Sequence, residues 1–443
     1  MRSRRSPFLW LIEKEWRELL SSRAWWVLLA VSGPLIGVSF ISAVRTYAEL
    51  SGYGGTAEGV GEAFSPLVGV WAPTFSACEL AAAFLLPFVA IRIVAGDRQS
   101  GALKLELQQP LSVLWRIGAK ALVLVIAWIV ASAPAAIAIL LWRSYGGSVY
   151  PPELAAVIAG HMLNAGLTIA LASAAASVTD HPSTAAIVTL SVTVGTWIVN
   201  FIAAVQGGIW ERIAGYTPTA IVAEFQHGLV RLDVVLIAVV FIAFGLAVAA
   251  IWMHIGAPVR TRVSESVLFA ALASAAVLAC AFVTPSWDLS ENRMNSFPKA
   301  DEALLRRIRE PLRIEAHLAA EDPRRVDLEH KVLTKLRRVM PRVDVRYVAG
   351  TSTGLFEQTA AHYGEVWYRL GDNGVPMMSR STTAESVLET IYGLAGVETP
   401  VESGDIFRGH PLAVPPRRAA AVFYGVWPAL IVAAGVFHWR RQA

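Results

Sequence analysis

The stretch LPFVAIRIVAGDRQSGALKLELQQPLSVLWRIGAK, residues 86–120, decides how the rest of the chain is read. It begins apolar and stays so to Val94. A polar segment follows, with Asp97, Arg98, a turn glycine at Gly101, spaced leucines at Leu103, Leu105 and Leu107, then Pro110, and finally Lys120. An apolar run ends just before this segment and another begins just after it. The pattern predicts a short amphipathic element held at a membrane surface between two membrane helices.

The composition of the whole chain agrees with that reading. Of 443 residues, 55% are hydrophobic and 16% charged, with mean hydropathy +0.50. Soluble globular chains carry about 25% charged residues. The apolar residues gather into blocks of about 20, the length a helix needs to cross a bilayer. Eight spans are expected, near 24–44, 67–94, 121–142, 154–178, 184–205, 234–254, 266–283 and 419–439. The fold class is therefore an α-helical polytopic membrane protein. Residues 1–23 lead into it as an amphipathic elbow helix, with Ser6-Pro7 at its start and Phe8, Leu11, Ile12, Trp16, Leu19 and Leu20 on one face. Their apolar run is too short, and too soon followed by Glu13, Lys14 and Glu15, to predict a cleaved signal peptide.

Basic residues in short connections stay on the cytoplasmic side. With the N-terminus inside, the inner segments hold Arg2, Arg4, Arg5, Lys14, Arg17, Arg23, Arg98, Lys104, Arg116, Lys120, Arg260, Arg262, Arg440 and Arg441. The outer short loops hold Arg45, Arg143, Arg212 and Arg231. The expected location is the cell (inner) membrane, with both termini and the 95–120 hinge cytoplasmic and residues 284–418 outside. Residues 207–232, semi-apolar and on the outer side, form either a re-entrant helix or one resting on the outer leaflet.

Residues 284–400 alternate strand-like runs (312–318, 343–348, 365–370) with amphipathic ones, notably 325–340, where Val332, Leu333, Leu336, Val339 and Met340 make one stripe. A small extracytoplasmic α/β domain is expected, followed by a Pro/Gly-rich linker over 401–418. Between 284 and 418 there are 19 Lys/Arg and 19 Asp/Glu, so the net charge of +4 belongs to the membrane part. This balance predicts no nucleic-acid partner.

Little in the chain points to chemistry of its own. Cys78 and Cys280 sit singly in apolar blocks, as buried hydrophobes rather than disulfide or metal partners. There is no HExxH and no GxGxxG, and no metal site is expected. Gly350-Thr-Ser-Thr-Gly354 fits the G-x-S-x-G nucleophile elbow, with His362 and Asp372 nearby, but an esterase sheet needs more strands than this domain can supply. A flexible Ser/Thr/Gly turn is the plainer reading. Ionisable and polar residues inside spans mark pathways or interhelical contacts: Glu79, His161, Asn164 and Asn200 are the candidates, with His161 and Asn164 three apart on one helix face. Arg92 lies close enough to the inner surface to snorkel. Small residues in the fourth and fifth spans (Gly166, Ala170, Ser173, Ser177, Gly195) suit either a route or tight packing.

The hinge resembles the loop between the second and third spans of ABC-2-type exporter permeases. The resemblance rests on Arg92, Asp97, Gly101, Leu103, Pro110, Gly118 and Lys120. The opening EKEWRELLSSRAW, the fourth-span GHMLNAGLTIALASAAASVTDHPSTAAI and HGLVRLDVV are similar to the permeases of gliding-motility and nitrous-oxide-cluster systems, across roughly the first 255 residues. The sequence departs from that pattern at Asp97, Ala102 and Lys104, where Glu, Thr and an acid are usual. WDLSENRMNSFPKADEALLRRIREPLRIEAHLA, with Asp288, Leu289, Ser290, Glu291 and Arg293, resembles the start of the auxiliary component of gliding-type systems.

The resemblance implies a fusion of permease and truncated auxiliary part, and a permease that pairs with a second permease chain in membrane lipid. It also implies a separate ATP-binding cassette subunit holding ATP and Mg2+. The chain has no Gly-Lys dipeptide, so it lacks the G-x-x-x-x-G-K-[ST] phosphate loop that hydrolysis requires. Hydrolysis is expected in that partner, docked on the 97–110 loop. The rival expectation is an ATPase-coupled mechanical or assembly protein of the envelope that transports nothing. A pump that needs no ATPase is a further rival, and it would need ionisable pairs in facing spans, where Glu79 is the main candidate.

Overall fold

A computed structural model of the chain describes residues 7–52, 64–101, 111–206, 209–254, 256–319, 322–348, 362–372, 374–400 and 407–442. Among them, eight helices are long and apolar enough to cross a bilayer: Arg23–Gly52, Leu67–Asp97, Val113–Ser144, Pro151–Val178, Pro182–Ala204, Leu232–Met253, Val259–Cys280 and Ala419–Arg440. The chain is a multi-pass α-helical membrane protein, as its hydropathy predicts. Helices satisfy every backbone group internally, which a segment in hydrocarbon requires. Several boundaries move outward, among them the start of span 7, at Val259 rather than 266. Span 1 runs on to Gly52, and span 3 begins at Val113, eight residues before its apolar block, because Arg116 and Lys120 are buried in protein rather than left in solvent.

The chain divides into two compact units, one of Met1–Trp197, Tyr216–Pro285 and Arg408–Ala443, the other of Ile198–Gly215 and Ser286–Phe407. In the first, span 4 packs closely on span 6. A Cβ on Gly245 would lie 3.0 Å from the Ala170 backbone, and one on Gly166 would lie 2.8 Å from Ile242. Those span 4 small residues therefore serve close helix approach, whereas Gly195 of span 5 has open space beside it. The helix Pro218–Gln226 lies on span 4, with Ile221, Val222 and Phe225 buried and Phe225 filling the space over Gly160. Its buried face is packed into the protein.

Span 8 returns onto span 1. Gly33 and Gly37, a G-x-x-x-G pair, leave room for Trp427 and Phe423, whose side chains any Cβ there would strike. Trp427 Nε1 donates to Leu29 O at 2.8 Å, and the Phe40 and Phe423 rings meet edge to face with centroids 6.0 Å apart, within the range of about 4.5–7 Å typical of such pairs. Span 7, by contrast, has no buried residue. Cys78 is buried and Cys280 half-buried, both as free thiols.

The second unit contains a four-stranded mixed sheet. In chain order the strands are β1 (Leu312–Ala316), β2 (Val343–Tyr347), β3 (Val366–Leu370) and β4 (Met377–Ser379), and across the sheet they run β2-β1-β3-β4. β1 pairs parallel with β2, with Leu312 opposite Val343, and antiparallel with β3, with Leu312 opposite Leu370. Alternation in β1 buries Leu312, Ile314 and Ala316 and exposes Arg313 and Glu315. The buried face carries the helical stripe Leu328, Val332, Leu333 and Leu336 and, from the helix Ala384–Ala395, Val387, Leu388, Ile391 and Tyr392. The predicted small α/β domain is thus present, with the helix expected from 325 starting at Pro323 and a short helix, Lys299–Leu305, preceding it.

The DLSENR motif is a compact turn. Asp288 Oδ1 accepts from Ser290 N at 3.1 Å, its Oδ2 accepts from Asn295 N at 3.0 Å, and Ser290 Oγ accepts from Met294 N at 3.0 Å. Arg293 takes a left-handed φ of 52° inside it. These side chains are thus occupied in closing the backbone on itself.

Candidate functional site

The elbow helix, which we label α1 (Pro7–Ser21), buries Leu11, Glu15 and Leu19, four residues apart, on one face. That face lies against the ends of spans 2 and 3, where the Phe8 and Trp115 rings meet at 5.0 Å. A carboxylate in the middle of a buried leucine stripe needs a partner. The partner is Lys120, one turn beyond Arg116 on span 3. Its Nζ lies 2.8 Å from both Glu15 carboxylate oxygens and 3.2 Å from the Ile93 carbonyl, and it pairs with Asp97 Oδ2. Asp97 Oδ1 is held in turn by Lys14 Nζ at 2.8 Å, and Lys14 also reaches Glu15 at 3.2 Å and Glu18 at 3.4 Å. Glu15, Asp97 and Lys120 are all but fully buried, at 0%, 0% and 1% exposure.

This cluster joins α1, the last turn of span 2 and the first turns of span 3 at a single point. Burial pushes the Glu15 carboxyl above the usual carboxylate range, against the pull of Lys120 and Lys14. It does the same to Glu18, with the Asp97 charge adding to the effect. Carboxylate oxygens of Glu15, Glu18 and Asp97 come within 4.8 Å of one another. The two ammonium groups of Lys14 and Lys120 sit among them and supply the compensating positive charge.

Of the hinge residues singled out by sequence, Asp97 is in the cluster and is buried, not displayed on a loop surface. Gly101 ends the helix Leu86–Ser100 in a left-handed conformation with φ of 75°, which a side chain would strain. Arg98 lies in the last turn of that helix, and its side chain is outside the described residues, as are Leu103, Leu105 and Pro110. Arg92 is exposed. Glu15 and Lys14 were not among the candidates. Their signal is a charge pair on the apolar face of α1, with Glu15 four residues from both Leu11 and Leu19.

The in-span candidates form a second polar layer organised by the helix Pro218–Gln226. Glu79 of span 2 accepts a hydrogen bond from the Thr219 side chain. His161 of span 4 is buried, with Nε2 3.2 Å from Gln226 Nε2 and its ring 5.4 Å from Phe75. Asn164 is buried on the same helix. Glu79 and His161 therefore each meet a side chain of one short helix. In the sheet domain, His362 Nδ1 is 3.0 Å from Glu365 and Asp372 pairs with Arg313 at 2.6 Å. Neither side chain is described against Ser352, and residues 350–354 lie outside the described residues.

No protein-family model matches the chain, and no curated protein sequence matches it.

Proposed function

We propose that this chain is the transmembrane permease subunit of an ABC exporter, driven by a separate ATP-binding subunit that holds ATP and Mg2+ and docks on the 97–110 loop. In this reading the chain lies in the cell (inner) membrane with both termini cytoplasmic and residues 284–418 extracytoplasmic, and it pairs with a second permease chain. Its first 255 residues are the permease, and residues 284–400 are an auxiliary-type domain fused to it.

The observation that carries the reading is the buried Glu15–Lys120–Asp97 cluster. Asp97 heads the docking loop and is bonded at once to α1 and to span 3, so displacement of the loop moves three membrane elements as one body. A loop attached only by its chain ends would dissipate the same push. The absence of any phosphate loop in the sequence fits a subunit that receives work and does not generate it. The test is co-purification of the full chain with the ATPase encoded beside it. Deletion of residues 100–109 is expected to abolish association, and undiminished association would overturn the docking assignment.

A second reading, an ATPase-coupled mechanical protein that carries no cargo, is favoured by the strap that follows the sheet domain. The Tyr47 hydroxyl of span 1 lies 2.7 Å from Phe64 O and 2.8 Å from His410 O, and Leu412 N donates to Ser51 Oγ at 3.0 Å. His410 N donates to Phe64 O at 2.9 Å, and the Tyr145 hydroxyl donates to Arg417 O at 2.5 Å. Motion of span 1 would therefore pull on the segment that leaves residues 284–400.

A further inference from the structure

Imidazoles and carboxylates gather at one corner of the sheet domain. Past the end of β1, His317 N donates to Glu365 O and Gly364 N donates to His317 O, both at 2.9 Å, so the pairing of β1 with β3 runs on for one more residue pair. Side chains two apart on a strand share a face, which places Glu315 and His317 together on the side of β1 opposite the hydrophobic core. The turn at 362–364 brings His362 beside them, its ring centre 5.9 Å from that of His317. This turn is held from two directions. The Tyr363 hydroxyl donates to Asp322 Oδ2 at 2.7 Å, and Gly364, at a left-handed φ of 87°, bonds the His317 carbonyl. The corner is also the carboxyl end of the parallel pair β1 and β2, the end at which open α/β sheets place ligands.

The distances suit a single metal ion. Glu365 Oε1 accepts from Arg380 Nη2 at 3.1 Å, and its Oε2 lies 3.0 Å from His362 Nδ1. A carboxylate held ionised by an arginine can only accept, so Nδ1 carries the proton and the lone pair of the neutral ring stands on Nε2. A carboxylate on the far nitrogen is what orients a metal-binding imidazole. His317 Nε2 lies 3.8 Å from Glu315 Oε1, too far for a hydrogen bond. That spacing is close to the roughly 3.3 Å between two donor atoms on a tetrahedral zinc ion with bonds of about 2.0–2.1 Å. With those bonds the ion stands about 3.2 Å from the centre of each imidazole, so two rings that share it have centres about 5–6 Å apart, as these two do. Glu315 and His362 are 50% and 64% exposed, so both can turn onto an ion without unpacking the core. Arg380 matches the charge of Glu365, whereas Arg346, opposite Glu315 on β2, makes no ion pair with it, which leaves the Glu315 carboxylate for the ion.

We propose that His317, His362 and Glu315 bind a divalent transition metal of the zinc class through two imidazole nitrogens and one carboxylate oxygen, with Glu365 orienting His362. Imidazole ligands select Zn2+ over Ca2+ and Mg2+, which take oxygen ligands. The ion fastens the 362–364 turn to the end of β1. No spacing in the sequence signals the site, because its two histidines belong to different strands' ends and meet only through the β1–β3 pairing. This assignment stands independently of the ATPase partner and of export.

The test uses the full chain, solubilised and without a polyhistidine tag, titrated with Zn2+ in competition with a chromophoric chelator. His362→Ala removes a ligand at an exposed position and should weaken binding by more than about 100-fold, beyond the loss of about 10–100-fold typical of groups that only hold a ligand in place. Glu365→Gln should fall within that range. Unchanged affinity in His362→Ala would overturn the site, and unchanged affinity in Glu365→Gln would remove the positioning role of Glu365. A second measurement needs no variant, so it holds even where a substitution prevents folding. Diethyl pyrocarbonate acylates imidazole nitrogens, and Zn2+ should abolish its reaction at His317 and His362 while leaving the exposed His181 as reactive as before. Equal acylation of His317 and His362 with and without Zn2+ would rule out their sharing the ion.

Discussion

Lys120 sits in a nearly closed shell of oxygen atoms, with two from Glu15, one from Asp97 and one from the Ile93 carbonyl. Removing one member of such a group leaves the others buried and uncompensated, which costs about 3–5 kcal/mol, whereas replacing all members by apolar groups costs far less. Lys120→Met is therefore expected to lower the unfolding midpoint of the solubilised chain severely. The triple change Glu15→Leu, Asp97→Leu, Lys120→Met should recover much of the loss, and equal destabilisation by the two would contradict a charge-compensation role.

Asp322 is a contrasting residue, near the surface of the sheet domain, where it caps the helix that starts at Pro323. Burial raises its carboxyl, but the Arg324 side chain, the Tyr363 hydroxyl and the Arg324 backbone N–H outweigh that and hold it below the usual carboxylate range. A carboxyl lowered on folding adds stability above its unfolded value, about pH 3.9, and loses it as pH falls through the folded value. Asp322→Ala should cost about 1 kcal/mol at pH 7, seen as about fivefold faster hydrogen exchange in the following helix of the full chain. After correction for intrinsic rates, the gap between variant and parent should close as the pH is taken below 4. A gap constant with pH would rule out the ionised cap.

At the scale of elements, the contact of span 1 with span 8 depends on two missing side chains. Gly33 and Gly37 accept the large Trp427 and Phe423, so bulk is placed on one helix and withheld on the other. Adding bulk at Gly33 should cost about 1–3 kcal/mol by overpacking, and Trp427→Ala about 3–5 kcal/mol by leaving a cavity. Because a leucine at position 33 fills part of the space the indole vacates, Gly33→Leu combined with Trp427→Ala should cost less than the sum. Denaturant unfolding of the four chains measures this coupling, expected at about 0.5–3 kcal/mol, and strict additivity would show that the two positions do not share a contact.

At the scale of the whole molecule, the distribution of basic residues makes a claim about sidedness. Single cysteines placed at Gln99 and at Glu389, in a background with Cys78 and Cys280 replaced, should label differently in intact cells. An impermeant maleimide is expected to reach the position on the sheet domain and to miss the one at the hinge. Labelling of the hinge in sealed cells would invert the orientation and remove the docking proposal with it. Sidedness also decides what the strap over Tyr47 and Ser51 can do, since His410, Leu412 and Arg417 bond the ends of spans 1 and 3.

The eight spans, the elbow helix, three of the four strands of the sheet domain and the stripe that covers them follow from the sequence by itself, whereas the short edge strand Met377–Ser379 does not. Each of the former rests on a local count of hydrophobicity or on a period of two or 3.6 residues, and a backbone in hydrocarbon has few alternatives to a helix. Which charges are buried together was left to the tertiary structure, because Glu15 and Lys120 stand 105 residues apart and Lys14 and Asp97 stand 83 apart. The same distance in sequence hid the roles of Glu79 and His161, whose partners Thr219 and Gln226 belong to a helix that sequence left unplaced. Periodicity says that a side chain faces inward. Only the packed fold says what it meets there, and for a buried charge or an imidazole that partner decides its chemistry.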